Sequence, residues 1–345
     1  MRNKKGDVAK RKIDHLKIAL SEGAQIGNSG FDNYRFIHNA LPEIDFDKID
    51  TSTSFLGKKV NYPFFISCMT GGVKEGLRIN RNLAKAAQKK GIAMGVGSQR
   101  VAIEHKELES LFKARSVAPS VPLMANVGIV QLNYGFTHKE YLRCVDMIEA
   151  DALVIHINPI QEIIQPEGDR NWENLLPKLE KVVKVVKVPV IAKEVGFGLS
   201  DGVIRRLYNI GIRIFDTAGW GGTNWSYVEA MRGKADRNLG TLFSNWGIPT
   251  TESINMAKKV KVEKRGKMTI LGSGGVRNGI DIAKAISLGS DMVGLATPFA
   301  QAALQSTKEV EDMIDRLGLE LKTTMFGLGV NSLSHLSKAQ LIKYN

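Results

Sequence analysis

Cysteine is scarce in this chain, which has only Cys68 and Cys144 among its 345 residues. The first follows a predicted strand and the second lies in a predicted helix. The two therefore indicate neither a disulfide framework nor the spacing of a metal site. Scarce, unpaired cysteines are typical of proteins in a reducing compartment. We expect a cytoplasmic protein.

Long hydrophobic runs are missing as well. No apolar stretch approaches the ~20 residues that a membrane-spanning helix needs. The N-terminal segment MRNKKGDVAKRKIDHL has no hydrophobic segment of the signal-peptide type. We expect no membrane insertion. Because 43% of the residues are apolar, a sizeable core is available, and the length suits one large α/β domain or two smaller ones.

Positive charge is concentrated at the N-terminus. Residues 1–17 carry seven Lys or Arg residues and two acidic residues, and so supply +5 of the net charge of +13. A basic arm can bind nucleic acid, an anionic membrane surface or an anionic small ligand, or it can be a solvated tail. Outside the arm the basic residues are scattered, and no nucleic-acid motif is present. We therefore expect no nucleic-acid partner.

Apolar runs and helical patterns alternate along the chain in eight β/α units. The runs are short and nearly continuous in apolar residues, as in strands buried on both faces of a parallel sheet. The predicted strands are residues 64–67, 92–95, 123–126, 152–157, 188–192, 212–216, 268–271 and 292–295. The predicted helices are residues 81–89, 108–114, 138–149, 172–186, 201–209, 251–260, 280–288 and 308–317. Eight alternations indicate an α/β fold that is a closed TIM (β/α)8 barrel rather than an open sheet.

Two regions fall outside this repeat. Residues 1–60 form an N-terminal basic arm and extension, with a helix predicted at 14–20, and residues 61–345 form the barrel. Together they make one domain overall. A long insertion after the sixth strand, residues 219–249, carries three of the four tryptophans. Such long loops are often functional lids, although the aromatic residues could also form a local core over the barrel.

Residues 271–297 are the most informative stretch. A strand-like run ends in Gly-Ser-Gly-Gly, a helical pattern follows, and a second apolar run ends in Ala296 and Thr297. Glycines after a strand let backbone N–H groups approach a phosphate, and a helix N-terminus adds a favourable dipole. Arg277 can add a bidentate contact. The pattern predicts the phosphate site of the last two barrel strands, although a plain tight turn is the alternative.

Small, polar or ionisable residues end each of the eight strands, where barrel enzymes place their chemistry. Lys193 ends an apolar strand, so we expect it to be partly buried and to need a partner. That partner is either an electron-rich cofactor or, in an internal salt bridge, Glu194 or Asp216.

The fourth strand end carries a second group of candidates. Glu162 begins a loop and could hold a hard cation that bridges phosphates, or it could be a solvated acid at a helix start. His156 and Asn158 alternate along the strand and so point the same way. A ligand-binding role and a structural role for His156 are both open at this point.

Seven segments together resemble the type 2, flavin-dependent isopentenyl-diphosphate isomerases over almost the whole chain. The segments are RKIDHL (11–16), MTGG (69–72), VGSQR (96–100), HINPIQE (156–162), KEVGFG (193–198), AGWGGT (218–223) and GGVR (274–277). The glycine-rich phosphate motif is shared by many flavin barrels. The RKxDHL arm combined with HxNPxQE is the specific pair.

The resemblance implies an enzyme that converts isopentenyl diphosphate to dimethylallyl diphosphate in isoprenoid biosynthesis. It also implies reduced FMN as acid and base, Mg²⁺, NADPH as reductant, and a homo-oligomer, either a tetramer or an octamer. The implied flavin-binding residues are Met69, Thr70, Gly71, Ser98, Asn126, Lys193, Thr223, Gly274, Gly275, Arg277, Ala296 and Thr297. The implied substrate-binding residues are Arg11, Lys12, Ser98, Gln99, Arg100, Asn158 and Gln161. Gln161 and His156 are the implied catalytic residues, and Glu162 is the implied metal ligand.

An FMN-dependent 2-hydroxy-acid oxidase or dehydrogenase is the alternative. It would share the barrel and the phosphate loop, but it would take a proton with a His near the end of the sixth to seventh strand. Residues 216–272 contain no His. That absence favours the isomerase.

Overall fold

The structure is a computed structural model that describes residues 4–69, 72, 74–233 and 235–344. The strands are β1 (Tyr34–Phe36), β2 (Thr53–Phe55), β3 (Lys58–Val60), β4 (Phe64–Ile66), β5 (Ala93–Gly95), β6 (Leu123–Gly128), β7 (Ala152–Ile157), β8 (Val190–Glu194), β9 (Ile214–Asp216), β10 (Thr269–Ser273), β11 (Met292–Leu295) and β12 (Leu341–Lys343). The helices are α1 (Lys4–Ala19), α2 (Lys74–Lys90), α3 (Arg100–Glu104), α4 (His138–Ile148), α5 (Pro159–Ile164), α6 (Leu175–Val185), α7 (Asp201–Asn209), α8 (Trp225–Met231), α9 (Arg237–Leu242), α10 (Thr250–Glu263), α11 (Gly279–Leu288), α12 (Thr297–Gln305), α13 (Thr307–Gly327) and α14 (Leu333–Leu336).

Within the described residues, the eight strands β4 to β11 form a closed parallel barrel. Each strand pairs with its sequence neighbours, and β11 closes the sheet by pairing with β4, with Val293 opposite Phe64. The strands are apolar on both faces because one face meets the barrel interior and the other meets the helices. The predicted TIM barrel is confirmed.

The hairpin β2–β3 closes one end of the barrel. Phe55 and Val60 belong to the apolar cluster inside the barrel, together with residues near the beginnings of the barrel strands. The Phe55 ring stacks on Phe65 with centroids 6.2 Å apart. Because apolar side chains fill this end, a polar site can form only at the opposite rim, where the strands end.

The N-terminal extension is packed against the barrel domain. Strand β1 pairs antiparallel with β12 near the C-terminus, with Tyr34 opposite Lys343. The Lys284 ammonium of α11 donates to the Phe31 carbonyl over 3.0 Å in a buried contact. Helix α1 packs on α8, which belongs to the insertion after the sixth barrel strand. No helix in the described parts of the chain is long and apolar enough to cross a membrane.

The insertion after β9 folds into helices. It contains α8, α9 and a 3₁₀ turn, Phe243–Asn245. Trp220 Nε1 and Asn224 Nδ2 both donate to the Ser244 carbonyl, each over 2.8 Å. These bonds fold the insertion back on itself. Trp246 remains 59% exposed, so it does not belong to a local aromatic core.

The helix predicted at residues 108–114 is wrong. The chain instead forms α3, an extended residue at His105, and a 3₁₀ turn at Lys106–Leu111. Arg143 of α4 holds this conformation, since its Nη1 donates to the Ile103 carbonyl over 3.3 Å and its Nε donates to Glu109 Oε1 over 3.0 Å. These tertiary contacts override the local helical pattern.

Two helix-start glycines provide a test of the packing. A Cβ on Gly279, the first residue of α11, would lie 2.3 Å from the Leu321 backbone nitrogen in α13, whereas a Cβ on Gly202 of α7 meets nothing within 4 Å. We expect Gly279→Ala to lower the free energy of unfolding by about 1–3 kcal/mol through overpacking. Gly202→Ala should leave it unchanged or raise it by up to about 1 kcal/mol. Urea unfolding monitored by circular dichroism compares them, and equal effects would contradict the packing argument.

Candidate functional site

A cavity of about 290 Å³ opens at the C-terminal ends of the barrel strands. All eight strand ends contribute to its wall, and α1 contributes residues such as Lys12 and His15. The rim is polar because the last residues of parallel strands lie beyond the apolar interior. The predicted site residues on this wall are Lys12, Met69, Ser98, Arg100, Asn126, His156, Asn158, Gln161, Glu162, Lys193, Thr223, Gly274, Gly275, Arg277, Ala296 and Thr297.

Four predicted residues are not among those on the wall. Thr70 and Gly71 lie outside the described residues, and for Arg11 only the backbone is described. Gln99 is fully buried behind the wall. Its amide donates to the Cys144 carbonyl over 2.9 Å and accepts the Asn126 N–H over 2.9 Å. Gln99 therefore anchors the end of β6.

Glycines bring the loops after β9 and β10 together at one end of the cavity. Gly274 and Gly275 have φ values of 108° and 66°, a region that glycine favours. A Cβ on Gly274 would lie 2.2 Å from the Gly219 carbonyl oxygen, and one on Gly275 would lie 2.2 Å from that of Gly221. The two backbones are therefore in direct contact. Gly219, Gly274 and Gly275 line this end of the cavity, which we call the cradle.

Polar side chains surround the cradle. The Thr223 and Thr297 hydroxyls are 2.7 Å apart. Burial lowers the pKa of the Arg277 guanidinium, which nevertheless remains charged. Arg277 Nη2 donates to Gln25 Oε1 over 2.6 Å. The sequence patterns did not predict Gln25. The guanidinium, hydroxyls and glycine backbone suit a phosphate monoester.

Of the two kinds of partner expected for Lys193, the structure contains the internal salt bridge, and the carboxylate is that of Asp216. Its ammonium lies 3.1 Å from Asp216 Oδ2, and both side chains are buried. The Ser273 hydroxyl donates to the other oxygen of the same carboxylate. Lys193 also lines the cavity. The internal salt bridge thus holds a cation at the cavity wall.

The carboxylate of Glu194 organises the loop after β8. Its Oε2 accepts the backbone N–H groups of the four following residues, among them Gly196 over 2.7 Å and Gly198 over 3.2 Å. Burial raises the pKa of Glu194 to about 7, although these N–H groups and Lys193 act in the opposite direction. One buried carboxyl group therefore shapes the loop, whereas the sequence analysis had considered Glu194 only as a possible partner of Lys193.

His156 is neutral at pH 7. Burial, together with the charges of Lys193 and Arg100, lowers its pKa to about 4. Its Nδ1 lies 2.7 Å from Asn126 Oδ1, so the neutral ring donates from Nδ1. Nε2 is left as a hydrogen-bond acceptor that carries no proton at neutral pH.

A buried carboxylate, Glu229 of α8, joins Gln161 to the N-terminal helix. Gln161 Nε2 donates to Glu229 Oε1 over 3.1 Å, and His15 Nε2 lies 2.8 Å from the same oxygen. Arg232 pairs with Oε2 over 2.5 Å. Burial raises the pKa of Glu229, but the contacts with His15 and Arg232 outweigh it and lower the pKa overall. Sequence reasoning missed Glu229, because no motif marks it within the insertion.

Glu162 belongs to a short polar network with Asn158, Asp169 and Arg100. Asn158 Nδ2 donates to Glu162 Oε1 over 3.1 Å, and the Asp169 N–H donates to Oε2 over 2.7 Å. Asp169 Oδ2 accepts from Arg100 Nη1 over 2.6 Å. Burial raises the pKa of Glu162. Among the described residues no cluster of three His, Cys, Asp or Glu side chains could hold a metal. Any cation here must take most of its ligands from elsewhere.

The barrel, cradle and rim define a class of flavin-binding barrel enzymes. The sequence model of the FMN-dependent dehydrogenase family matches residues 17–120 and 248–343, more than half of the chain. Isopentenyl-diphosphate delta-isomerase of Rickettsia bellii is 47% identical over 335 residues, covering 96% of each chain. The enzyme of the same name from Rickettsia akari is 47% identical over 338 residues, covering 97% of each. The chain belongs to the isopentenyl-diphosphate delta-isomerase family.

Solved structures share the fold at low identity. The flavin-binding domain of baker's yeast flavocytochrome b2 matches with a TM-score of 0.68 at 19% identity, covering 94% of this chain and 79% of that one. A mandelate oxidase variant with 2-hydroxy-phenylacetamide matches with a TM-score of 0.63 at 16% identity, covering 99% and 98%. At this identity the likeness establishes the barrel alone.

Removing one partner of the Lys193–Asp216 pair tests the buried charge. Asp216→Asn keeps the shape but leaves the Lys193 ammonium without a counterion, so we expect a loss of about 3–5 kcal/mol in the free energy of unfolding. Glu180→Gln is the matched control, because it breaks an exposed pair with Lys184 that spans 2.7 Å. That variant should change stability by less than about 0.5 kcal/mol. Denaturant titration measures both, and a mild Asp216→Asn phenotype would show that the ammonium has another partner.

Proposed function

We propose that this chain interconverts isopentenyl diphosphate and dimethylallyl diphosphate. One observation carries the proposal beyond the family name. A single cavity holds a phosphate-type cradle at one end and, elsewhere on its wall, the neutral His156 and the Glu229-bound Gln161. The reaction adds one proton to an allylic system and removes another. It needs a diphosphate handle and a sheltered, mostly uncharged place for the hydrocarbon.

FMN is the cofactor that the cradle suits. The glycine loops, Arg277 and the two threonines match a phosphate monoester, and Lys193, Asn126 and Met69 line the adjoining wall. When bound, reduced flavin supplies a proton and stabilises positive charge near the alkene, with no net oxidation. We propose NADPH as its reductant.

The chain's own residues orient the hydrocarbon end. Glu229 fixes the Gln161 amide by accepting from Nε2, which turns the amide oxygen toward other partners. His156 presents an acceptor nitrogen at neutral pH. We therefore propose that Gln161 orients the alkene end of the substrate and that His156 accepts a hydrogen bond or a proton there. Helix α1 forms part of the wall of the same cavity, and we propose that it shields the hydrocarbon from water.

The diphosphate end is assigned to charged groups on the rim. Lys12 and Arg100 line the cavity, and Arg100 is held by Asp169. Arg11 precedes Lys12 in the same basic arm. Charge-assisted hydrogen bonds from such groups suit a diphosphate.

Glu162 and Asn158 fit a Mg²⁺ ion that is shared with the substrate. Asn158 Oδ1 is buried without a hydrogen-bond partner, so it is a second oxygen donor beside the Glu162 carboxylate. Mg²⁺ commonly takes one or two carboxylates, substrate phosphate oxygens and waters rather than a full protein cage. The two protein oxygen donors, from Glu162 and Asn158, are consistent with such a coordination sphere.

Two further assignments follow from the family and the surface. We propose a cytoplasmic location, in keeping with two cysteines that form no disulfide. We also propose a homo-oligomer of four or eight copies. The exposed Leu242 and Trp246 of the insertion are apolar side chains that an interface would cover.

Anaerobic turnover tests the function. With purified protein, FMN, Mg²⁺ and dithionite or NADPH, we expect dimethylallyl diphosphate to form from isopentenyl diphosphate. Without reductant or FMN, the rate should fall by orders of magnitude. Lactate and mandelate are assayed under aerobic conditions as a control for 2-hydroxy-acid oxidase activity, and we expect no oxidation of either. Equal turnover with oxidised or absent flavin would exclude the proposed chemistry.

Metal dependence separates Glu162 from Gln161. Glu162→Gln removes the charge at nearly constant size, so the variant should require far more Mg²⁺ while still binding FMN normally. The exposed Glu173→Gln is the matched control and should behave as wild type. Activity is measured as a function of Mg²⁺ concentration.

Gln161→Ala should respond differently to the metal. It should lower kcat about a hundredfold, equivalent to about 3 kcal/mol, without rescue by Mg²⁺. Should Mg²⁺ rescue neither variant, Glu162 is not a metal ligand.

A further inference from the structure

The segment after α1 is docked on the loop that carries Thr223. The Ile26 N–H donates to the Gly222 carbonyl over 3.1 Å, and the Asn224 N–H donates to the Ala24 carbonyl over 2.9 Å. These bonds form a short antiparallel bridge that places Gln25 opposite Thr223. Gln25 is thus held by its backbone at the edge of the phosphate-type cradle.

The Gln25 side chain contacts three of the groups around that cradle. Its Oε1 accepts from Arg277 Nη2 over 2.6 Å. Its Nε2 donates to Thr223 Oγ1 over 3.0 Å, to Thr297 Oγ1 over 3.3 Å and to the Ala19 carbonyl over 3.3 Å. One neutral amide therefore joins the loops after β9, β10 and β11 to the C-terminal end of α1.

Gln25 contacts these groups without lining the cavity itself. Arg277, Thr223 and Thr297 line the cavity wall, and Gln25 does not. Because the amide donates to both hydroxyl oxygens, the hydroxyl hydrogens point away from Gln25. One of them is used between the two threonines, which leaves the other to donate to a ligand. Arg277 commits one N–H to Gln25 and one to the Val276 carbonyl, and a guanidinium has five.

We propose that Gln25 is a positioning residue that selects a phosphorylated flavin. By fixing the guanidinium and the hydroxyl hydrogens, it aims them at the phosphate and so favours FMN over riboflavin, which has no phosphate. The proposal rests on the proposed flavin cofactor. It concerns one end of that cofactor and not the isomerisation. A neutral amide is needed here, because a carboxylate would keep the Arg277 contact but repel the phosphate.

The test compares the affinity for two flavins. FMN and riboflavin are titrated separately into flavin-free protein, and binding is followed by quenching of flavin fluorescence. We expect Gln25→Ala to weaken FMN binding about tenfold and to change riboflavin binding less than about twofold, the scale of one hydrogen bond to a charged group. Gln25→Glu should weaken FMN binding further, again with little change for riboflavin.

Gln301→Ala is the matched control. Gln301 Nε2 donates to the Leu20 carbonyl over 3.2 Å, so it holds the same segment without touching the cradle. Its ratio of FMN to riboflavin affinity should equal that of the wild type. Circular dichroism of every variant confirms folding.

Three results would overturn the proposal. An equal loss for both flavins in Gln25→Ala would show a merely structural role. Tighter FMN binding in that variant would show that Gln25 competes with the phosphate. If the wild type bound neither flavin, the cofactor assignment itself would fail together with the proposal. The wild-type titration therefore distinguishes that failure from a failure of Gln25 alone.

Discussion

The pairing of β11 with β4 is the contact on which the rest of the structure depends. A sheet of short parallel strands has two unpaired edges until its last strand meets its first, and closure removes both. Closure also brings all eight strand ends to one rim. The hairpin β2–β3 fills the other end with apolar side chains, so charged groups collect at the rim, where the cavity lies.

The ionisable groups buried near this rim are each stabilised by a different set of contacts. Lys193 has a carboxylate, Glu194 has four backbone N–H groups, and Glu229 has His15, Gln161 and Arg232. An uncompensated buried charge would lower the free energy of unfolding by several kcal/mol. Each set of contacts therefore also restrains the strand, loop or helix that carries the charged residue. Together they link the side chains at the cavity to the strands and helices around it. Side chains restrained in this way suit a reaction on a hydrocarbon, because the alkene itself offers few polar contacts.

Local patterns predicted the parts of the fold in which near neighbours along the chain cooperate. Parallel strands that are buried on both faces appear in the sequence as apolar runs. The consecutive glycines before Arg277 indicate a tight turn with positive φ angles. The helix expected at residues 108–114 was wrong, because contacts from Arg143 hold that segment in a 3₁₀ turn. Helix α12 was missed, since its start at Thr297 followed a predicted strand end and was interpreted only as part of a binding loop.

By itself, the sequence determined the barrel and its glycine-rich loops, and most of the site residues that it predicted line the cavity wall. Their signals lie within single strand–loop–helix units. Only the tertiary structure decided that Glu229 meets Gln161, that Gln99 faces the protein interior, and that Gln25 joins Arg277 to two threonines. Gln25 and Arg277 are 252 positions apart, and Gln25 and Thr297 are 272 apart. No local pattern encodes such contacts, because they exist only once the barrel has closed and the N-terminal segment has docked on its rim.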